Sequence, residues 1–95
     1  MHYTYILQTL QNPPHFYIGS TSDLKRRLTE HNSGKSIHTN KFLPWKIKNY
    51  IAFEDEFKAT EFEKFLKSGN GRVFVKKHFW IRIIFANFFL HLLKS

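Results

Sequence analysis

The sequence predicts an α+β fold in which a strand hairpin leads, a third strand follows and helices fill the intervals. Three observations predict it. Two aromatic and aliphatic segments near the start are separated by Gln11-Asn12-Pro13-Pro14, a Ser/Thr/Asp cluster at 20–23 leads into a basic segment, and 45–67 passes from strand alternation to a helical stripe.

His2 to Leu10 is rich in Tyr, Thr, Ile and Leu and reads as the first strand. The two prolines break it, because proline lacks the N–H donor that a strand interior needs. His15 to Gly19 is then the returning strand of a hairpin, with Tyr17 facing opposite to Phe16 and Ile18, and with Tyr5 and Tyr17 placed as neighbours. Ser22 or Asp23 caps a helix that ends near His31. Residues 32–41 are polar and glycine-containing and read as a loop with room for a short helical turn. Alternation over 45–53 puts Trp45, Ile47, Ile51 and Phe53 on a core face and Lys46 and Lys48 on a wet one.

Glu54-Asp55-Glu56 supplies negative charge where a helix N-terminus favours it, and Gly69 marks the C-cap. Between them Ala59, Phe62 and Leu66, widened by Phe65, form an apolar stripe with Glu63 at its border. Glu61 projects roughly 200° away from Glu63 round the helix. Residues 68–72 read as a flexible, glycine-containing turn able to form a backbone nest for phosphate, and a third helix starts near Val73.

Ninety-five residues make one modest domain, and no cysteine excludes disulfides and thiolate metal sites. Fifteen Lys and Arg against seven Asp and Glu give a net charge of +8, which favours an anionic partner, nucleic acid or an acidic membrane surface. The first residues lack the basic region and small-residue cleavage site of a secretory signal, so the expected compartment is the cytoplasm.

The chemistry concentrates in 16–31. With a helix starting at Ser22 or Asp23, Arg27 and His31 stand about 6 Å apart along one face, so their heads can reach one object. Gly19 would let the backbone turn sharply and stay uncrowded beside it. A guanidinium, an imidazole and a tyrosine hydroxyl on bare backbone suit a phosphate. Alone, Lys25-Arg26-Arg27 would read as a solvated face and Tyr5 and Tyr17 as core residues.

Tyr3-Thr4-Tyr5-Ile6-Leu7 followed by Tyr17-Ile18-Gly19, Arg27 and His31 resembles the GIY-YIG nuclease domain, from about Tyr3 to about His78. The second half of the motif is literal, and Tyr3-Thr4-Tyr5 stands where the family name has Gly-Ile-Tyr, a change common in its small single-domain members. The resemblance implies a small three-stranded antiparallel sheet flanked by helices over 1–78, and it stops before 79–95. It implies a metal-dependent endonuclease hydrolysing DNA phosphodiester bonds, with branched or damaged DNA as candidate substrate.

Ala59, Glu63 and Lys67 match the spacing of the family's metal-binding helix, which makes Glu63 the candidate ligand of Mg²⁺ or Mn²⁺. The resemblance gives Arg27 to the scissile phosphate and Tyr5, Tyr17 and His31 to activating or positioning water, without deciding between the tyrosines. His38 is the nearest counterpart of a further histidine or tyrosine close to the metal. Lys25, Arg26, Lys35, His38, Lys41 and Arg72 are the candidate DNA contacts, and no small-molecule cofactor is expected.

Two other readings stand beside this one: a nucleic-acid-binding module that has lost turnover, and an interaction or peripheral membrane protein held by its tail. Residues 79–95 carry twelve apolar side chains in seventeen positions, which favours self-association over membrane contact, since few polar residues remain for an interfacial helix.

Overall fold

A computed structural model of the chain describes residues 1–79, and the tail for which self-association is expected lies, but for Phe79, outside the described residues. The elements are β1 (His2–Thr9), β2 (Phe16–Thr21), α1 (Leu24–Asn32), β3 (Trp45–Phe53), α2 (Glu56–Lys67) and α3 (Gly69–His78). The strands form one antiparallel sheet in the order β2-β1-β3, and with three helices the fold is α+β. The described residues divide into two compact units, Met1–Lys64 and 65–79.

In the first unit β1 is the middle strand, and Thr4, Tyr5, Ile6 and Leu7 are all buried, as a strand covered on both faces must be. On one face Tyr5, Leu7 and Trp45 form a core against Tyr17, Leu24, Leu28, Phe42 and Ile47. On the other, Thr4 Oγ1 donates to the Ala59 carbonyl of α2 at 2.6 Å and Phe53 meets Phe62 with ring centroids 5.6 Å apart.

The alternation expected for β3 is corrected by a bulge. Leu7 pairs with Ile47 but Ile6 pairs with Asn49, so Lys48 is the extra residue. Paired residues share a face, so Trp45 and Ile47 accompany Leu7 whereas Ile51 and Phe53 accompany Thr4 and His2 on the opposite face. A one-residue slip turns every later side chain over, and the hydrophobic pattern alone does not reveal it.

Asp23 caps α1, its side chain accepting from the Arg26 N–H at 3.0 Å, and Asp55 does the same for Lys58 on α2 at 2.7 Å. Asn32, the last residue of α1, holds the start of β3 through both ends of its amide: Nδ2 donates to the Trp45 carbonyl at 3.0 Å, and Oδ1 accepts from the Trp45 N–H at 2.6 Å.

In the second unit the turn expected at 68–72 is instead the start of α3. Ser68 caps it, accepting from the Gly71 N–H at 3.1 Å, and Gly69 is the first helical residue, not the C-cap of α2. A Cβ on Gly71 would overlap the Phe65 carbonyl, so the helices approach there through bare backbone. Phe65, expected to widen the apolar stripe of α2, is 40% exposed and meets Phe74 edge-on at 5.7 Å. No helix among the described residues is long and apolar enough to cross a membrane.

Candidate active site

Pairing β1 with β2 sets Tyr5 opposite Gly19, with Tyr17 opposite Leu7 and diagonal to Tyr5 on the same face. Gly19 is not a turn, as the sequence suggested, but the middle of a strand. Its missing side chain makes room for tyrosine: a Cβ there would lie 2.5 Å from the Tyr5 hydroxyl oxygen and 2.7 Å from Cζ. The Tyr5 ring therefore lies across Gly19, and its hydroxyl reaches toward α1.

There it meets the two residues that helical spacing places together. The hydroxyl oxygen accepts from Arg27 Nε at 3.4 Å and lies 2.9 Å from His31 Nε2. The shared object of the guanidinium and the imidazole in the free protein is thus the Tyr5 oxygen. Rings confirm the cluster, with Tyr17 and His31 centroids 5.1 Å apart and Tyr5 and His31 5.9 Å apart.

His31 is fully buried, so both ring nitrogens need partners. Nδ1 lies 2.7 Å from Thr39 Oγ1, and the Thr39 carbonyl accepts from Trp45 Nε1 at 3.0 Å. Thr39 is itself fully buried and escaped the sequence reading. The loop was legible only as polar, and nothing local distinguishes Thr39 from its exposed neighbour His38. What turns it inward is a hydrogen-bonded turn, in which the Asn40 and Thr39 N–H groups both donate to the Ser36 carbonyl.

Burial decides the charges. Desolvation lowers the His31 pKa from 6.5 to about 4, helped by the neighbouring Arg27 cation, so the imidazole is neutral at pH 7. Desolvation also raises the Tyr5 pKa from 10.0 to about 12, outweighing the hydrogen bond and charge of Arg27, which pull it down; Glu63 adds to the rise through its negative charge. The Tyr5 contact and then the Glu30 contact hold the Arg27 pKa above its ordinary value. Arg27 Nη1 donates to Glu30 Oε2 at 2.7 Å, while Arg26 meets the same carboxylate at 3.5 Å from a side chain 65% exposed.

The structure brings Tyr5, Tyr17, Arg27 and His31 together, with Glu63 half-buried on α2 and within electrostatic reach of Tyr5; Glu61 is exposed. Lys25, Arg26, Lys35, His38 and Lys41 are exposed on α1 and the following loop, and Arg72 is exposed on α3. Among the described residues no group of three or more His, Cys, Asp or Glu could hold a metal ion.

Residues 1–78 match the model of the GIY-YIG catalytic domain. The chain is 37% identical over 67 residues to a UPF0213 protein of Lactococcus lactis subsp. cremoris, covering 70% of this chain and 66% of that one. It is 38% identical over 66 residues to a UPF0213 protein of Streptococcus pneumoniae serotype 4, covering 68% and 65% respectively. A structure-specific endonuclease subunit SLX1 of Scheffersomyces stipitis is 38% identical over 66 residues, covering 62% of this chain and 20% of that one. The chain thus spans about two thirds of the length of the UPF0213 relatives and about a fifth of the SLX1 subunit. No solved structure matches it significantly.

Proposed function

The chain belongs to the GIY-YIG family, and from that premise we propose that it is a metal-dependent endonuclease hydrolysing DNA phosphodiester bonds, with branched DNA as its substrate. One observation carries the reading: a buried tyrosine hydroxyl shared between a guanidinium and a neutral imidazole. A core built only for stability would place apolar groups there, since each buried polar group must recover its lost hydration through a partner.

In-line attack of water on a phosphodiester needs a route for the water's proton and positive charge on the phosphoryl oxygens. Arg27, on the half-buried side of α1, supplies the charge, exchanging Glu30 for a phosphate oxygen as the strand enters. His31, neutral in the free protein, takes the proton once the negative charge of the bound phosphodiester offsets the Arg27 cation that helps to hold its pKa near 4. With Nδ1 donating to Thr39 Oγ1, Nε2 accepts from the Tyr5 hydroxyl, and the oxygen of Tyr5 takes the water's proton as its own passes to His31. A phenol with a pKa of about 12 carries little anion at neutral pH, so the imidazole is needed for the step. Tyr17, its ring tilted against that of His31, positions the water.

Glu63 is the residue that would hold Mg²⁺ or Mn²⁺. A single hard carboxylate, with water and phosphate oxygens completing the set, fits how Mg²⁺ is held in phosphoryl-transfer sites. When bound, the ion would neutralise charge on the phosphoryl oxygens. SLX1 is named a structure-specific endonuclease subunit, which supports a substrate selected by its structure. The exposed cations Lys25, Arg26, Lys35 and Lys41, with His38, would hold the flanking strands, and Arg72 of the second unit is a separate candidate contact.

The test is incubation of the purified protein with linear, flapped and branched DNA, with and without Mg²⁺. Metal-dependent cutting of the branched forms is expected; salt-sensitive binding without product would make the protein a binding module.

A further inference from the structure

The sheet face that carries Tyr5 continues toward the open edge. β3 is an edge strand, and its Tyr50 pairs directly with Tyr5, so the two side chains emerge on one face as immediate neighbours. Their environments differ sharply. Tyr5 is 2% exposed and Tyr50 57% exposed. Tyr3, two residues before Tyr5 on the same face, meets Tyr50 in a T-shaped contact with centroids 5.9 Å apart and planes at 70°. Such a contact fixes a ring while engaging at most one of its faces.

Scattered exposed apolar side chains are ordinary, and Met1, Leu10 and Ile37 are such cases. Tyr50 differs in position: it stands in register with the hydroxyl on which Arg27 and His31 converge. The same strand carries Lys46, paired with Gln8 on the opposite face, and Lys48 at the bulge, where it feels the Lys46 charge, in a chain of net charge +8. An exposed ring in register with Tyr5, on a strand that also carries lysines, matches how proteins hold single-stranded nucleic acid, by stacking bases on aromatics while cations follow the backbone.

Resting on the nuclease reading, we propose that Tyr50, steadied by Tyr3, is a stacking platform for an unpaired nucleotide beside the phosphate that Arg27 engages. The substrate then carries a single-stranded or frayed base next to the cut, and Tyr50 selects it over continuous duplex.

The experiment is equilibrium binding without divalent metal, using a single-stranded oligonucleotide containing 2-aminopurine and a blunt duplex of the same sequence. Wild type, Tyr50→Ala and Tyr50→Phe are compared by anisotropy, and stacking is read from quenching of 2-aminopurine. Wild type should prefer the single strand and quench the probe. Tyr50→Phe should keep both properties, because the ring remains. Tyr50→Ala should lose roughly five- to a hundredfold in single-strand affinity together with the quenching, and change duplex affinity less than twofold. Equal affinities for all three proteins, or a parallel loss on both probes, would overturn the platform and leave the nuclease reading standing. A wild type that binds neither DNA would overturn the nuclease reading and the platform with it.

Discussion

The Tyr5 hydroxyl lies 2.9 Å from His31 Nε2, a bond that ties the middle strand of the sheet to the last turn of α1 across 26 residues of sequence. It is the junction of a longer chain of contacts, from Glu30 through Arg27, Tyr5, His31 and Thr39 to Trp45. Each link is at once a structural tie and a constraint on where protons can go.

The first consequence is a pH dependence of stability. The folded protein keeps His31 neutral down to about pH 4, whereas an unfolded histidine protonates near 6.5. Between these values the unfolded chain binds more protons, so stability falls as pH falls through that window, by at most about 3 kcal/mol. Tyr5 acts at the other end: the fold retains its proton to about pH 12, so stability falls as pH rises from 10 toward 12. Urea unfolding of wild type and His31→Gln at pH 7.5, 6 and 4.5 checks the acid limb; the variant's curve should be flatter.

Gly19→Ala should displace Tyr5, since the new methyl would stand 2.5 Å from its hydroxyl oxygen within a paired strand. Overpacking of this kind costs about 1–3 kcal/mol, and cleavage should fall with it. Thermal melting and cleavage of the branched substrate measure both, and an unaltered melt would show that the ring moves aside without cost.

The two glycines of α3 should respond in opposite directions. A methyl at Gly71 collides with the Phe65 carbonyl, whereas Gly69 faces open space. Gly71→Ala should lower the melting temperature, and Gly69→Ala should leave it unchanged or raise it slightly, as the helix gains a better former.

The acidic and basic pairs separate specific roles from general charge. Glu63→Gln should abolish cleavage with DNA binding nearly intact, while Glu61→Gln, exposed on another face of α2, should have little effect. Arg27→Ala should cost turnover by orders of magnitude, whereas Arg26→Ala should weaken binding and lower the salt slope by about one unit. If the members of either pair behave alike, the corresponding assignment is wrong.

Most of the sheet and two helices were legible because their signals are local. Aromatic and β-branched segments broken at Pro13 and Pro14, the capping candidate Asp23 and the acidic opening of α2 at Glu54-Asp55-Glu56 need no tertiary information. Strand and helix periods placed Tyr5 beside Tyr17 and Arg27 beside His31, whereas the meeting of the two pairs in one site was implied by the family resemblance. The bulge at Lys48 and the helical start at Gly69 were not legible, because each depends on what lies opposite: Ile6 and Leu7 across the ladder, the Phe65 carbonyl behind Gly71. Thr39 was missed for the same reason, a small polar residue whose meaning comes from the imidazole it meets.

The most direct test of the shared tyrosine hydroxyl is Tyr5→Phe. The ring keeps its place across Gly19 and in the core with Leu7 and Trp45, and only the oxygen on which Arg27 and His31 converge is removed. The measurement is single-turnover cleavage of a branched DNA substrate with Mg²⁺, alongside the dissociation constant for the same DNA without metal. We predict a fall in the cleavage rate of about a hundredfold or more with the dissociation constant changed less than threefold, as removal of a proton-transferring group requires. A variant that cleaves at the wild-type rate would contradict the account, leaving Tyr5 a core residue whose hydroxyl does no more than satisfy His31.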